Sequence, residues 1–124
     1  MDITLEQWPE GLVDVYNNDN RLGYININPL DVNHSFAMHK NCASLFYIEL
    51  KPNGLLTTVV GSLIKQLTTN NPILEALIID SPRTCYKKKW LSTANHLVED
   101  KIIKRHYWSP YRDLVLALPN YLSQ

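Results

Sequence analysis

A chain of 124 residues with 45% hydrophobic and 19% charged side chains has the material for one domain with its own apolar core. No uninterrupted apolar stretch approaches the roughly 18 to 20 residues of a membrane-crossing helix, so no span is expected. The net charge is zero but unevenly placed: residues 1–80 carry four basic against nine acidic side chains, and residues 81–112 carry eight against two. The positive stretch can meet phosphates or balance the acidic part internally.

The opening MDITLEQWPE is acidic and lacks the basic-then-apolar pattern of an export signal, which predicts a cytoplasmic location. Leu12 to Tyr16 and Leu22 to Asn28 flank an Asn/Asp cluster that tolerates left-handed backbone, a hairpin signal. In the second arm Tyr24, Asn26 and Asn28 alternate with Ile25 and Ile27, so one face should be buried and one wet. Residues 29–43 show no steady period and read as a loop with room for one short turn of helix.

Ser44 to Leu50 is rich in aromatic and β-branched residues and ends at Lys51-Pro52, which predicts a strand. Asn53 can then cap a helix with apolar positions Leu55, Leu56, Val59, Val60, Leu63, Ile64 and Leu67 on one side. Gly61 inside it costs about 1 kcal/mol relative to alanine, and the expected reason is a close contact with a neighbouring strand. After the stop at Thr68 to Pro72, Ile73 to Ile79 is apolar enough for a strand covered on both sides. These three segments form a βαβ unit, whose strands should run parallel with a right-handed crossover.

Ser81-Pro82 suits a helix start, and Tyr86, Trp90, Ala94, Leu97 and Val98 share a face of a helix reaching about Glu99. Lys101 to Trp108 is β-capable, Ser109-Pro110 marks a turn, and Tyr111 to Leu118 reads as a last strand. The expected fold is a single α/β domain over residues 1–124: a mixed sheet of about five to six strands, a central βαβ unit and two or three helices.

In a parallel βαβ unit, ligands favour the carboxyl ends of the strands, where a helix start presents unpaired amides to an anion. Asn53, Gly54 and Leu55 mark such a start here, although Asn53 is equally an ordinary cap and Gly54 an ordinary turn residue. Lys87 and Lys88, with Lys89, form either a solvated helix face or a phosphate-attracting one.

Three pieces together carry a family resemblance: the hairpin VDVYNNDNRLGYINI, the unit FYIELKPNGLLTTVVGSLIKQL followed by LEALIID, and PRTCYKKKWL. In this order they resemble the acyl-CoA N-acyltransferases of the GNAT type. The resemblance implies a pyrophosphate loop of the form Q/R-x-x-G-x-G/A after the middle strand. With Gly61 at its final glycine, Val59 and Leu56 take the other two signature positions; read at Lys51 to Thr57, the loop keeps its helix start. Where the family has a strand and two helices before the hairpin, about ten residues stand here. The resemblance further implies acyl-CoA as co-substrate and an amine acceptor. It gives Tyr86 the role of protonating the departing thiolate and makes Glu49 a base toward the amine, directly or through water.

A second constellation, KKKW with KRHYWSPYR, interleaves cations with aromatics over residues 87–112 as single-stranded nucleic acid binding requires, yet no RNP, KH or zinc-knuckle pattern accompanies it. The same surface near residues 104–112 suits a non-enzymatic interaction module, of the inhibitor or immunity type, that docks on a protein partner. Cys42 and Cys85 read as free structural thiols, and the spread of the four histidines predicts no metal site. The leading expectation is a small GNAT-like domain that binds acyl-CoA and transfers an acyl group to an amine.

Overall fold

The computed structural model describes residues 2–28, 39, 41–51, 54–80 and 82–119. In chain order the strands are β1 (Ile3–Gln7), β2 (Leu12–Asn17), β3 (Asn20–Asn28), β4 (Cys42–Leu50), β5 (Ala76–Ile79), β6 (Arg105–Trp108) and β7 (Leu114–Ala117). Helix α1 (Leu56–Asn70) follows β4, and α2 (Lys87–Glu99) follows β5. The strands form one mixed sheet in the order β1-β2-β3-β4-β5-β7-β6, in which β4 and β5 run parallel and every other pair is antiparallel. The α/β class and the central βαβ unit are therefore as the sequence predicts, with seven strands rather than five or six.

The added strand is β1. Its residues alternate, so Ile3 and Leu5 pack toward the core while Thr4 and Glu6 face out, and it pairs with β2 from Ile3↔Asn17 to Gln7↔Val13. One 3-10 turn, Pro9–Gly11, links them with Glu10 and Gly11 at φ 68° and 82°. A strand thus precedes the hairpin, and a single turn stands where the GNAT pattern has two helices.

Both helices lie on one face of the sheet. Val59, Val60, Leu63, Ile64 and Leu67 of α1 and Trp90, Ala94 and Leu97 of α2 share a buried cluster with Val13, Val15, Ile25, Ile27, Leu45, Leu77 and Leu116. Each large side chain buried there contributes about 1.5–3 kcal/mol relative to exposure. Gly61 is buried on α1, but its neighbour is not a strand. A Cβ there would lie 3.3 Å from Ile102 Cδ1 and 3.5 Å from Leu97 Cδ2, so the missing side chain lets the end of α2 approach α1.

The opposite face is divided. Over its second half Cys42, Ala76, Ile78 and Val115 form a smaller buried cluster against Tyr107. Over the first half Thr4, Glu6, Asn26, Tyr47 and Glu49 stay exposed.

Several boundaries differ from the sequence reading for local reasons. The N-cap position of α1 is Leu55, which makes no side-chain cap bond; Asn53, the expected cap, lies outside the described residues. Helix α2 starts only at Lys87, after a 3-10 turn over Thr84–Tyr86, so Ser81-Pro82 does not begin it, and Ser81 too lies outside the described residues. In the expected 29–43 loop, Cys42 and Ala43 belong to β4, while residues 29–38 and 40 lie outside the described residues.

Candidate functional site

The parallel ladder between β4 and β5 is short. It runs from Cys42↔Ala76 to Leu45↔Ile79, and the amide of Asp80 donates to the Leu45 carbonyl at 2.9 Å. Beyond that rung β4 continues through Leu50, paired only with β3 among the described residues. A register shift between Asn26 and Ile27 places an extra residue, Phe46, at the point of parting, and such a bulge bends and twists its strand. The alternation consequently changes: Ile48 and Leu50 follow Leu45 onto the helix side, while Tyr47 and Glu49 stand on the open face.

On the helix side, the first turn of α1 carries no acidic residue and its N-cap residue Leu55 makes no side-chain cap bond; a helix start of this kind turns amides and the positive end of the helix dipole outward. Gly54 precedes it at φ 98°, exposed, and among the described residues nothing lies within 4 Å of the place a Cβ would occupy. Because β4 and β5 are parallel, the connections into α1 and α2 leave from the same edge of the sheet, which brings Gly54 and Leu55 to the edge that carries Tyr86, Lys87 and Lys88.

Tyr86 does not lie on the buried face of α2 as its spacing from Trp90 and Ala94 predicts. It ends the preceding 3-10 turn, whose tighter winding breaks that phase, and is 48% exposed. Lys88 is exposed, whereas the ammonium of Lys87 lies 5.4 Å from the ring centroid of Trp108. His106 meets Asn95 of α2 at 3.0 Å, so Trp108, two residues on, faces the same side of the sheet.

On the open face Glu49 pairs with Tyr24, whose ring centroid is 5.7 Å from that of Tyr47. Desolvation pushes the Tyr24 phenol up, and Tyr47 and Glu49 add to the shift. Asp14 orders the neighbouring surface: it accepts two bonds from Arg21, at 2.9 and 3.2 Å, and one from the Trp8 indole at 3.0 Å. The sequence reading used Tyr24 only as a strand position and gave Tyr47 no role; the alternation of β3 and β4 was the available signal.

The connections that carry Gly54–Leu55 and Tyr86–Lys88 thus leave from the same ends of the parallel strands, and Glu49 stands on the open face of the sheet. Gly61 does not join the group, being packed against Leu97 and Ile102.

A separate polar cluster lies at the other ends of the parallel strands. His39 is only 2% exposed, with Nε2 at 2.7 Å from the Tyr107 hydroxyl and Nδ1 at 3.9 Å from Glu75. Burial pushes His39 down, Glu75 opposes this, and Arg105 reinforces it. Cys42 is buried beside it, its thiol 3.5 Å from the His39 carbonyl oxygen, and Cys85 is exposed; the two do not form a disulfide. Among the described residues no group of three or more His, Cys, Asp or Glu side chains could hold a metal ion, and no helix is long and apolar enough to cross a membrane. One recess, lined by Lys65, Thr68, Asp100 and Lys101, lies at the far ends of both helices. It has neither helix-start amides nor parting strands, so the β4/β5 edge is the stronger candidate.

At the level of sequence, neither known protein-family models nor curated proteins return a match. Solved structures do. The aminoglycoside acetyltransferase AAC(6')-Ib in complex with coenzyme A and kanamycin is similar over 92% of this chain and 70% of its own, at 15% identity and a TM-score of 0.59. The same enzyme with paromomycin and acetyl-CoA matches over 93% and 69%, at 15% identity and a TM-score of 0.57. PH1933 from Pyrococcus horikoshii OT3 matches over 87% and 64%, at 8% identity and a TM-score of 0.52. The fold is that of the GNAT-type acetyltransferases.

Proposed function

We propose that this chain binds acyl-CoA at the parting of β4 and β5 and transfers the acyl group to an amine. The observation that carries this reading is the end of the ladder at Leu45 and Ile79, on the side of the sheet from which the chain enters α1. Parted strands offer backbone groups to an extended, amide-bearing arm, and a helix start offers amides to a pyrophosphate. Coenzyme A has both features, and the coenzyme A complexes of the similar AAC(6')-Ib structures support the choice.

In this reading Gly54 and Leu55 present backbone to the pyrophosphate, and Lys87 and Lys88 add charge. The acceptor comes over the open face. Glu49 takes a proton from the attacking nitrogen, directly or through water, as that nitrogen bonds to the thioester carbonyl carbon. The carbon–sulfur bond then breaks, and Tyr86 protonates the departing thiolate, giving an amide and free CoA. Gly61 acts through packing alone.

The interaction-module reading has less support, because Tyr107 and Trp108, two of the aromatics of residues 104–112, do not share a surface. Tyr107 packs on the buried cluster of the second face, while Trp108 turns to the helix side. A thermal-shift panel of CoA, acetyl-CoA and longer acyl-CoAs tests the proposal. A ligand at about 100 times its dissociation constant adds about 2.7 kcal/mol, a shift of several degrees. No shift with any member of the panel would overturn it.

A further inference from the structure

We infer that the acceptor is an arylalkylamine, one flat aromatic ring joined to its amine by a short saturated link, and that Tyr47 and Phe46 seat the ring. The inference rests on the reading above and names the substrate of that same site. The register shift places Phe46 and Tyr47 side by side at the level of Asn26, where β4 parts from β5. Phe46 is 51% and Tyr47 45% exposed, and neither packs against a core cluster. Ring surface left in water costs free energy that a flat apolar body laid on it recovers.

The neighbouring groups narrow the choice of acceptor. Tyr24 backs Tyr47, with ring centroids 5.7 Å apart and planes tilted by 34°, and is itself held by the Arg21 guanidinium 5.7 Å from its own centroid. Both tyrosines are therefore fixed before a ligand arrives, which lowers the ordering cost of binding. Asp14 is engaged by Arg21 and by the Trp8 indole, and Glu49, directly across from Tyr24, is the carboxylate beside these rings. One such carboxylate suits one amine, whereas a polyamine brings several charges. Glu49 lies two residues past Tyr47 on the same face, about 7 Å along the strand. A ring on Tyr47 thus keeps its amine, through a short link, near the parting at Phe46 and within one water of Glu49.

The experiment follows thiol release from acetyl-CoA with 2-phenylethylamine, 2-cyclohexylethylamine and spermidine on the wild type, Tyr47→Leu and Phe46→Leu, each checked for folding by circular dichroism. Thermal shift of the wild type with acetyl-CoA alone is measured beside it. The two ring-bearing amines match in size and differ in flatness, so the ratio of their kcat/KM values reads stacking. Wild type should favour phenylethylamine over the cyclohexyl compound by about threefold to tenfold, and over spermidine by at least as much. Each variant should bring the first ratio toward one, whatever it does to either rate alone. A wild type that uses phenylethylamine no better than the other amines, or a ratio that neither substitution lowers, would overturn the inference. So would transfer to none of the three amines. In each of these cases a thermal shift with acetyl-CoA leaves the CoA reading standing. No shift and no transfer would remove that reading and the inference with it.

Discussion

Leu45 of β4 and Ile79 of β5 are the last residues paired across the two parallel strands, and the Asp80 amide closes the ladder on the Leu45 carbonyl at 2.9 Å. With the extra residue Phe46 at that level, the next side chains of β4 change sides, so Glu49 is carried to the open face. One short stretch of strand therefore divides the proposed site into a helix side, with amides and lysines, and an open side, with a carboxylate and two tyrosines.

Tyr86→Phe tests the chemistry of the helix side. The ring is 48% exposed at the end of a 3-10 turn, so the fold does not depend on its hydroxyl. Turnover with acetyl-CoA and an accepted amine should fall by about 100-fold or more, the range of a lost general acid, with little change in KM for the thioester. Unchanged turnover would take Tyr86 out of this role.

Gly61 separates packing from ligand binding. In Gly61→Ala the new methyl meets Ile102 Cδ1 at 3.3 Å and Leu97 Cδ2 at 3.5 Å, both flexible side-chain ends. The gain in helix propensity, about 1 kcal/mol, should largely offset that crowding. Chemical denaturation should therefore show a net change below about 1 kcal/mol, whereas Gly61→Val should lose about 1–3 kcal/mol through overpacking. A large loss of CoA affinity in a stable Gly61→Ala protein would contradict the packing role.

The parts of the fold legible in the sequence are those where a pattern persists over many residues. The paired apolar positions of α1, from Val59 to Leu67, point to one buried face, and the run into Ile79 is buried on both sides of the sheet. The losses came where one backbone feature ends an element. Lys101 at φ 60° and Arg112 at φ 68° turn the chain, which trims β6 to Arg105–Trp108 and β7 to Leu114–Ala117. β1 has no strong sequence signal, because its alternation covers only five residues beside an acidic start. Glu49 and Tyr86 enter the proposed site through family resemblance, while the side of the sheet that Trp108 faces required the register of β6 against β7. The contact of His39 with Tyr107, 68 residues apart, has no sequence signature.

His39 makes stability depend on pH. Burial lowers its pKa from 6.5, with Arg105 acting the same way and Glu75 against it, so the folded state favours neutral imidazole. Its contribution is complete above the ordinary histidine value and is lost as the pH falls from there through the depressed folded value. Urea midpoints should fall between pH 7.5 and 5.5, and the fall should be smaller in His39→Gln. An equal fall in that variant would place the effect on other groups.

Ser109 holds the tip between β6 and β7. Its Oγ accepts the amides of Tyr111 at 3.1 Å and Asp113 at 3.0 Å, fixing a turn in which Arg112 is left-handed. Ser109→Ala should lower stability by about 1–3 kcal/mol, because the buried Asp113 amide loses this acceptor. An unchanged denaturation midpoint would show that the backbone holds the turn unaided.

Amide chemical-shift mapping with CoA tests the central claim most directly. The largest changes should fall on Gly54 to Thr58 and on Phe46 to Leu50, with little effect at the far ends of the helices around Thr68 and Lys101. Saturable binding that shifts the far-end residues and leaves those two segments unmoved, or no binding at millimolar CoA, would contradict the account.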